Sequence, residues 1–88
     1  MEQKDLIEIL TKEVGCKFYT CESSNVSIYG YNETDKSLWV VFKGNKVYKY
    51  EGITKNQFKN LHAAKSKGIW VNANLVKPKV KFKAYEVV

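Results

Sequence analysis

LWVVFKGNKVYKY, residues 38–50, is the stretch on which the fold turns. Two runs of aliphatic and aromatic residues, Leu38–Phe42 and Val47–Tyr50, flank Gly44-Asn45, a pair suited to a tight turn. The stretch reads as a β-hairpin with a two-residue Gly-X loop of type II′. Loop length sets register, so Lys43 is expected to face Lys46, Phe42 to face Val47, Val41 to face Tyr48, and Trp39 to face Tyr50. Opposed residues project from the same face. One face then carries Leu38, Val40, Phe42 and Val47 as core. The other carries Trp39, Val41, Tyr48 and Tyr50 and ends in Lys43 and Lys46. A slip of one residue would scramble both faces.

Towards the N-terminus, Leu6, Ile7, Ile9, Leu10 and Val14 form an apolar stripe at helical spacing over residues 3–14. Glu8 and Lys12 stand at i,i+4 in the favoured order, and Gly15 follows as a stop. A short strand is expected within Lys17–Cys21. Val26–Tyr31 alternates, with Val26, Ile28 and Gly30 on one side and Ser27, Tyr29 and Tyr31 on the other. Asn32–Asp35 is polar turn chemistry.

Beyond the hairpin, Thr54 and Gln57 make a T-x-x-Q capping box, and Ile53 with Phe58 makes a hydrophobic staple. The spacing predicts a helix with Phe58 and Leu61 inward, His62 at its boundary and Gly68 as its end. Ile69–Val76 is short and mixed. After Pro78, residues 79–88 read as a final strand in which Lys79, Lys81 and Lys83 alternate with Val80, Phe82 and Ala84. With Lys77 they form a lysine row on one strand face. Such a row can follow a phosphate backbone, and it can equally guard an edge strand against pairing. The expected class is α+β: a small antiparallel sheet of three to five strands, an N-terminal helix and one helix after the central hairpin, with the helices on one face.

Eighty-eight residues, 44% hydrophobic and 27% charged, describe one globular domain. No run approaches the ~18 apolar residues of a membrane span, and the start lacks a signal peptide's apolar segment, so a cytoplasmic location is expected. Cys16 and Cys21, with His62 as the single histidine, fall short of a four-ligand zinc site, and reduced thiols are expected. No phosphate-loop or dinucleotide fingerprint occurs, and the acids are scattered. The chain is expected to be no enzyme and to carry no metal or cofactor.

The net charge of +6 is uneven. Residues 1–22 hold three lysines and five acids, residues 23–52 four and three, and residues 53–88 eight and one. The basic half suggests an anionic partner. All fifteen cations are lysine, which argues against bidentate arginine readout.

Ser23-Ser24-Asn25-Val26, Gly30-Tyr31-Asn32, Leu38-x-Val40-x-Phe42, Gly44, Tyr48-Lys49-Tyr50, Ile53, Phe58, Leu61, Ala64-x-Ser66-x-Gly68, Trp70 and Asn72 together resemble the KTSC domain family. The resemblance covers about residues 23–78, with residues 1–22 as a helix and connector and residues 79–88 as a lysine-rich strand of the same domain. It implies a small α+β domain that stands alone in bacteria and phages and is appended to some lysyl-tRNA synthetases. Its polar positions fall on Ser23, Ser24, Tyr48, Tyr50, Ser66 and Gly68. The chain departs from the family where a proline usually opens the second helix; Lys55 stands there.

The expected ligand-binding set is Ser23, Ser24, Tyr31, Trp39, Tyr48, Tyr50, Ser66, Lys67, Gly68 and Trp70. The expected phosphate contacts are Lys43, Lys46, Lys77, Lys79, Lys81 and Lys83. Aromatic rings beside lysines are how small folds hold unpaired bases, so RNA or single-stranded DNA is the first expected partner. Three alternatives stand beside it: a small nucleotide held by a phage-type protein, a host defence protein inhibited by it, and a protein adaptor or homo-oligomer that uses the N-terminal helix.

Overall fold

The structure, a computed structural model, describes residues 3–23 and 25–86. Ser24, one of the expected ligand contacts, and Val87 and Val88, expected in the last strand, lie outside the described residues. The chain runs α1 (Gln3–Val14), β1 (Phe18–Thr20), β2 (Val26–Asn32), β3 (Ser37–Phe42), β4 (Lys46–Tyr50), α2 (Lys55–Ala63), α3 (Lys67–Val71), a π-helical segment (Asn72–Val76) and β5 (Phe82–Glu86). The strands form one antiparallel sheet in the order β1-β2-β3-β4-β5. The α+β class therefore holds. No helix among the described residues is long and apolar enough to cross a membrane.

The hairpin register differs by one residue from the expected one. Phe42 pairs with Lys46, Val41 with Val47, Val40 with Tyr48, Trp39 with Lys49 and Leu38 with Tyr50. The loop thus has three residues, Lys43–Asn45, with Gly44 (φ 89°) and Asn45 (φ 60°) both left-handed, as in a type I′ turn rather than II′. The Lys43 amide points to the other neighbour of β3 and donates to the Asn25 carbonyl at 2.8 Å, at the entry to β2. The shift places Tyr48 and Tyr50 on the face of Leu38, Val40 and Phe42. It puts Val47 with Trp39 and Val41 on the other.

A bulge in β2 makes a second correction. Val26 opposes Phe42 and Ile28 opposes Val41, so Ser27 is the extra residue, its hydroxyl donating to the Val41 carbonyl at 3.1 Å. Val26 therefore shares a face with Tyr29 and Tyr31, not with Ile28. On that face Val26, Tyr29, Leu38, Val40, Tyr50, Ile53, Leu61, Val71 and Leu75 form one buried cluster. On the other, Leu6 and Leu10 of α1 bury Phe18, Ile28, Val41 and Val47. Helices cover both faces, not one, because the sheet has an apolar set on each side that must leave water.

α1 has the expected bounds and closes on Gly15 (φ 80°), whose amide donates to the Thr11 carbonyl at 3.0 Å. The capping box of α2 is complete: Gln57 N donates to Thr54 Oγ1 at 3.2 Å, and Thr54 N to Gln57 Oε1 at 2.8 Å. α2 stops earlier than expected, at the extended backbone of Ala64 (ψ 137°), and Ser66 opens α3 by accepting from Ile69 N at 3.2 Å. Gly68 lies buried inside α3 rather than ending α2. The mixed segment after it is helical, because Val71 and Leu75 at i,i+4 both reach the core. The lysine row is also broken. β5 starts only at Phe82, and Lys79 (φ 56°) sits in the turn before it, so of the expected row only Lys83 is a strand residue, and Lys77, Lys79 and Lys81 are not.

Leu10→Ala on the α1 side and Leu61→Ala on the α2 side should each cost about 2–5 kcal/mol in urea unfolding. A near-neutral Leu10→Ala would show that α1 does not supply a second core.

Candidate ligand-binding site

β4 pairs with β5 so that Tyr48 faces Ala84 and Tyr50 faces Phe82. The Tyr48 ring lies 4.4 Å from that of Phe82 at 13°, a parallel stack, and Phe42 meets Tyr48 edge-on at 5.1 Å. Tyr50 forms the floor at 1% exposure, whereas Phe82 is 49% exposed. Burial, with Tyr48 beside it, pushes the Tyr50 hydroxyl up to about 12, so it stays protonated. The carboxyl end of the π-helical segment supplies Leu75 and the exposed Val76 as the opposite wall. The result is a groove of about 690 Å³ with an aromatic and aliphatic floor, edged by Lys79 and Lys81. Lys83 pairs with Lys49 across the ladder, so its side chain projects to the α1 face, where its Nζ lies 3.4 Å from the Glu51 carboxylate at the groove's border. The structure can thus hold a flat apolar group against Phe82 with anionic groups near the lysines.

The small polar residues gather elsewhere. Ser23 Oγ donates to Asn25 Oδ1 at 3.0 Å and lies 3.4 Å from the amides of Asn25 and Val26. A Cβ on Gly68 would collide with Ser23 Oγ and Asn25 Oδ1, which is why glycine is needed inside a helix there. Ser66 caps α3, and Lys67 Nζ donates to the Ala64 carbonyl at 2.6 Å. Lys67 and Lys43 are near enough to Cys21 to oppose the burial that raises its thiol. Ser23, Ser66, Lys67 and Gly68 do come together, as a corner that fastens α3 to the start of β2. None of them lines the aromatic groove. Lys43 and Lys46 are exposed at the hairpin tip, and Trp70 is half-buried against the helix-side core.

Two residues of the expected aromatic set, Tyr31 and Trp39, lie outside that groove. Tyr31 donates to the Ile53 carbonyl at 2.6 Å and stacks on Phe58 at 5.1 Å. Trp39 lies on the α1 face, away from Tyr48 and Tyr50, and its Nε1 donates to Ser37 Oγ at 3.0 Å. Ser37 donates in turn to Asp35 Oδ1 at 2.5 Å. Lys49 reaches Asp35 at 3.5 Å and the Trp39 ring at 5.5 Å. The Ser37 hydroxyl first, and Lys49 after it, hold the Asp35 carboxyl below its usual value. His62 Nδ1 is 2.8 Å from the Tyr29 hydroxyl at the edge of α2. Cys16 packs with the α1-side cluster and Cys21 with the helix-side one, so the two thiols stand on opposite faces.

Phe82, Glu51, Val76 and Val80 belong to the groove and were outside the expected set. Phe82 carried a signal, an aromatic ring between two lysines, but the contacts expected there were the lysines alone.

The KTSC domain family model matches residues 22–78, well over half of the chain. The crystal structure of a KTSC domain protein from Yersinia pestis is similar in fold, with a TM-score of 0.68 and 23% identity. The match covers 83% of this chain and 99% of that one. No curated protein matches the chain.

Gly68→Ala should destabilise the domain by roughly 1–3 kcal/mol, because the new methyl group must displace Ser23 or Asn25. Pairing it with Ser23→Ala should recover part of the loss in thermal melts. An unchanged melting temperature in the single variant would show that the corner is loosely packed.

Proposed function

The chain belongs to the KTSC domain family, and from that premise we propose that it is a non-catalytic binding module for single-stranded nucleic acid, RNA in the first place. The observation that carries the reading is the half-exposed Phe82 ring, stacked on Tyr48 and edged by Lys79 and Lys81. Rings offer a stacking surface to any base, and lysines neutralise the phosphates that follow it along the strand. This combination lies in the half of the chain that holds eight lysines and one acid. Lys49 is withdrawn from the role by Asp35 and Trp39 on the other face.

The groove's volume of about 690 Å³ also accommodates a mononucleotide, so a small nucleotide is the second reading. Chain length separates the two. A stacking strand-binder gains affinity from a mononucleotide to a hexamer, whereas a nucleotide pocket does not.

Binding of a uridine-rich RNA octamer, followed by fluorescence anisotropy, should weaken with salt at a slope of about −1.4 in log K against log salt, ~0.7 for each of Lys79 and Lys81. Phe82→Ala should cost about 1–3 kcal/mol of binding while sparing stability, because that ring is half in water. Salt-independent binding, or full affinity in Phe82→Ala, would count against the groove.

A further inference from the structure

The opposite face of the sheet carries a second groove, of about 600 Å³, between the C-terminal half of α1 and strands β3, β4 and β5. α1 contributes Ile9, Leu10, Glu13 and Val14 to it. The sheet contributes Trp39 and Tyr85, whose rings lie 5.3 Å apart at 33°. Tyr85 is 41% exposed and Ile9 37%, so apolar surface faces water there. Two carboxylates, Glu13 and Asp35, line the groove against one ammonium group, that of Lys49, in a chain whose net charge is +6.

Lys49 shows what this surface holds. β4 sets it opposite Trp39, and its ammonium lies 3.5 Å from Asp35 Oδ2 and 5.5 Å from the centre of the Trp39 ring. A carboxylate and a π face together are the environment that favours a partly desolvated cation, and the Lys49 side chain is only 19% exposed. The Ser37 hydroxyl donates to Asp35 Oδ1 and helps keep that carboxyl ionised. Glu13 makes no ion pair among the described residues. Lys83, which β5 turns to the same face, is engaged by Glu51. A further cation therefore meets an unpaired carboxylate beside an aromatic pair, whereas an anion meets two carboxylates and a lysine already taken.

We propose that this groove is a second ligand site, for a small organic ammonium ion: a protonated amine on an apolar body. Glu13 and Asp35 attract the ammonium, Trp39, Tyr85 and Ile9 cover the body, and Lys49 competes with the ligand for Asp35. The volume suits a small molecule, whose pockets span roughly 300–1,000 Å³ and are mostly apolar with a few placed polar groups. The inference is independent of the nucleic-acid reading, which concerns the other face.

The test titrates the ¹⁵N-labelled full chain with phenethylamine, 2-phenylethanol and 3-phenylpropionate, three ligands of similar shape that carry a positive charge, none and a negative charge. The readouts are the Trp39 indole N–H and the amides of Glu13 and Tyr85. Phenethylamine should bind about tenfold more tightly than the alcohol, and the propionate more weakly than either. Glu13→Gln should weaken the amine severalfold. Lys49→Met, which frees Asp35 and the Trp39 ring, should tighten it, and neither variant should change binding of the alcohol. Circular dichroism verifies that the variants are folded, and the three-ligand series on the unmodified protein decides by itself if they are not. Equal binding of amine and alcohol, or a folded Lys49→Met that binds the amine no more tightly, would overturn the ammonium site. Shifts with pentalysine but none with phenethylamine would give the groove to a basic protein segment instead, and no shift with any probe would remove the site.

Discussion

The register of the β3–β4 hairpin, closed by a three-residue loop with left-handed Gly44 and Asn45, is the constraint on which the rest of the domain depends. It aligns Val40 with Tyr48. Side chains alternate along a strand, so one residue of slip reassigns every residue of β4. With the observed register, Tyr50 enters the core beneath α3 and Tyr48 meets Phe82 at the outer edge. Val47 goes to the other side, against α1.

A domain of this size has little interior, and a sheet covered on both faces makes the most of it. α1 closes one side with Leu6 and Leu10; α2, α3 and the π-helical segment close the other with Leu61, Val71 and Leu75. The helix-side cover does not reach the last strand. β5 is an edge, its ladder is five residues long, and Phe82 and Tyr85 stay 49% and 41% exposed on its two sides. The groove is therefore a consequence of the fold's economy: it opens where the helical layer ends and the sheet continues. Lysines at such an edge are suited both to guarding it against pairing with another chain and to offering positive charge to an anion, and the two roles are compatible.

Features written in contiguous residues were legible before the structure. The bounds of α1 followed from its apolar stripe and Gly15, and the Thr54–Gln57 capping box followed from four residues. Features set by partners distant in sequence were not. The β2 bulge turns the Ser27 hydroxyl to the carbonyl of Val41, 14 residues away. Gly68 resembled a helix stop because the residues that demand it, Ser23 and Asn25, lie on another element. The candidate site was half visible for the same reason. Tyr48, Tyr50, Lys79 and Lys81 were expected and do line one groove, whereas Lys83 turns to the other face of β5 and the predicted union of Trp39 with the two tyrosines fell with the register. The family's small polar residues form a packed corner of their own.

The central claim is that the working surface is the β4–β5 side of the helix-covered face. A titration of the ¹⁵N-labelled protein with single-stranded RNA, read by amide chemical shifts, tests it most directly. The account predicts saturable shifts concentrated at Tyr48, Glu51, Val76 and Lys79–Lys83, with α1 and Trp39 unmoved. Shifts centred on Trp39, Glu13 and Tyr85, or none at saturating RNA, would contradict it.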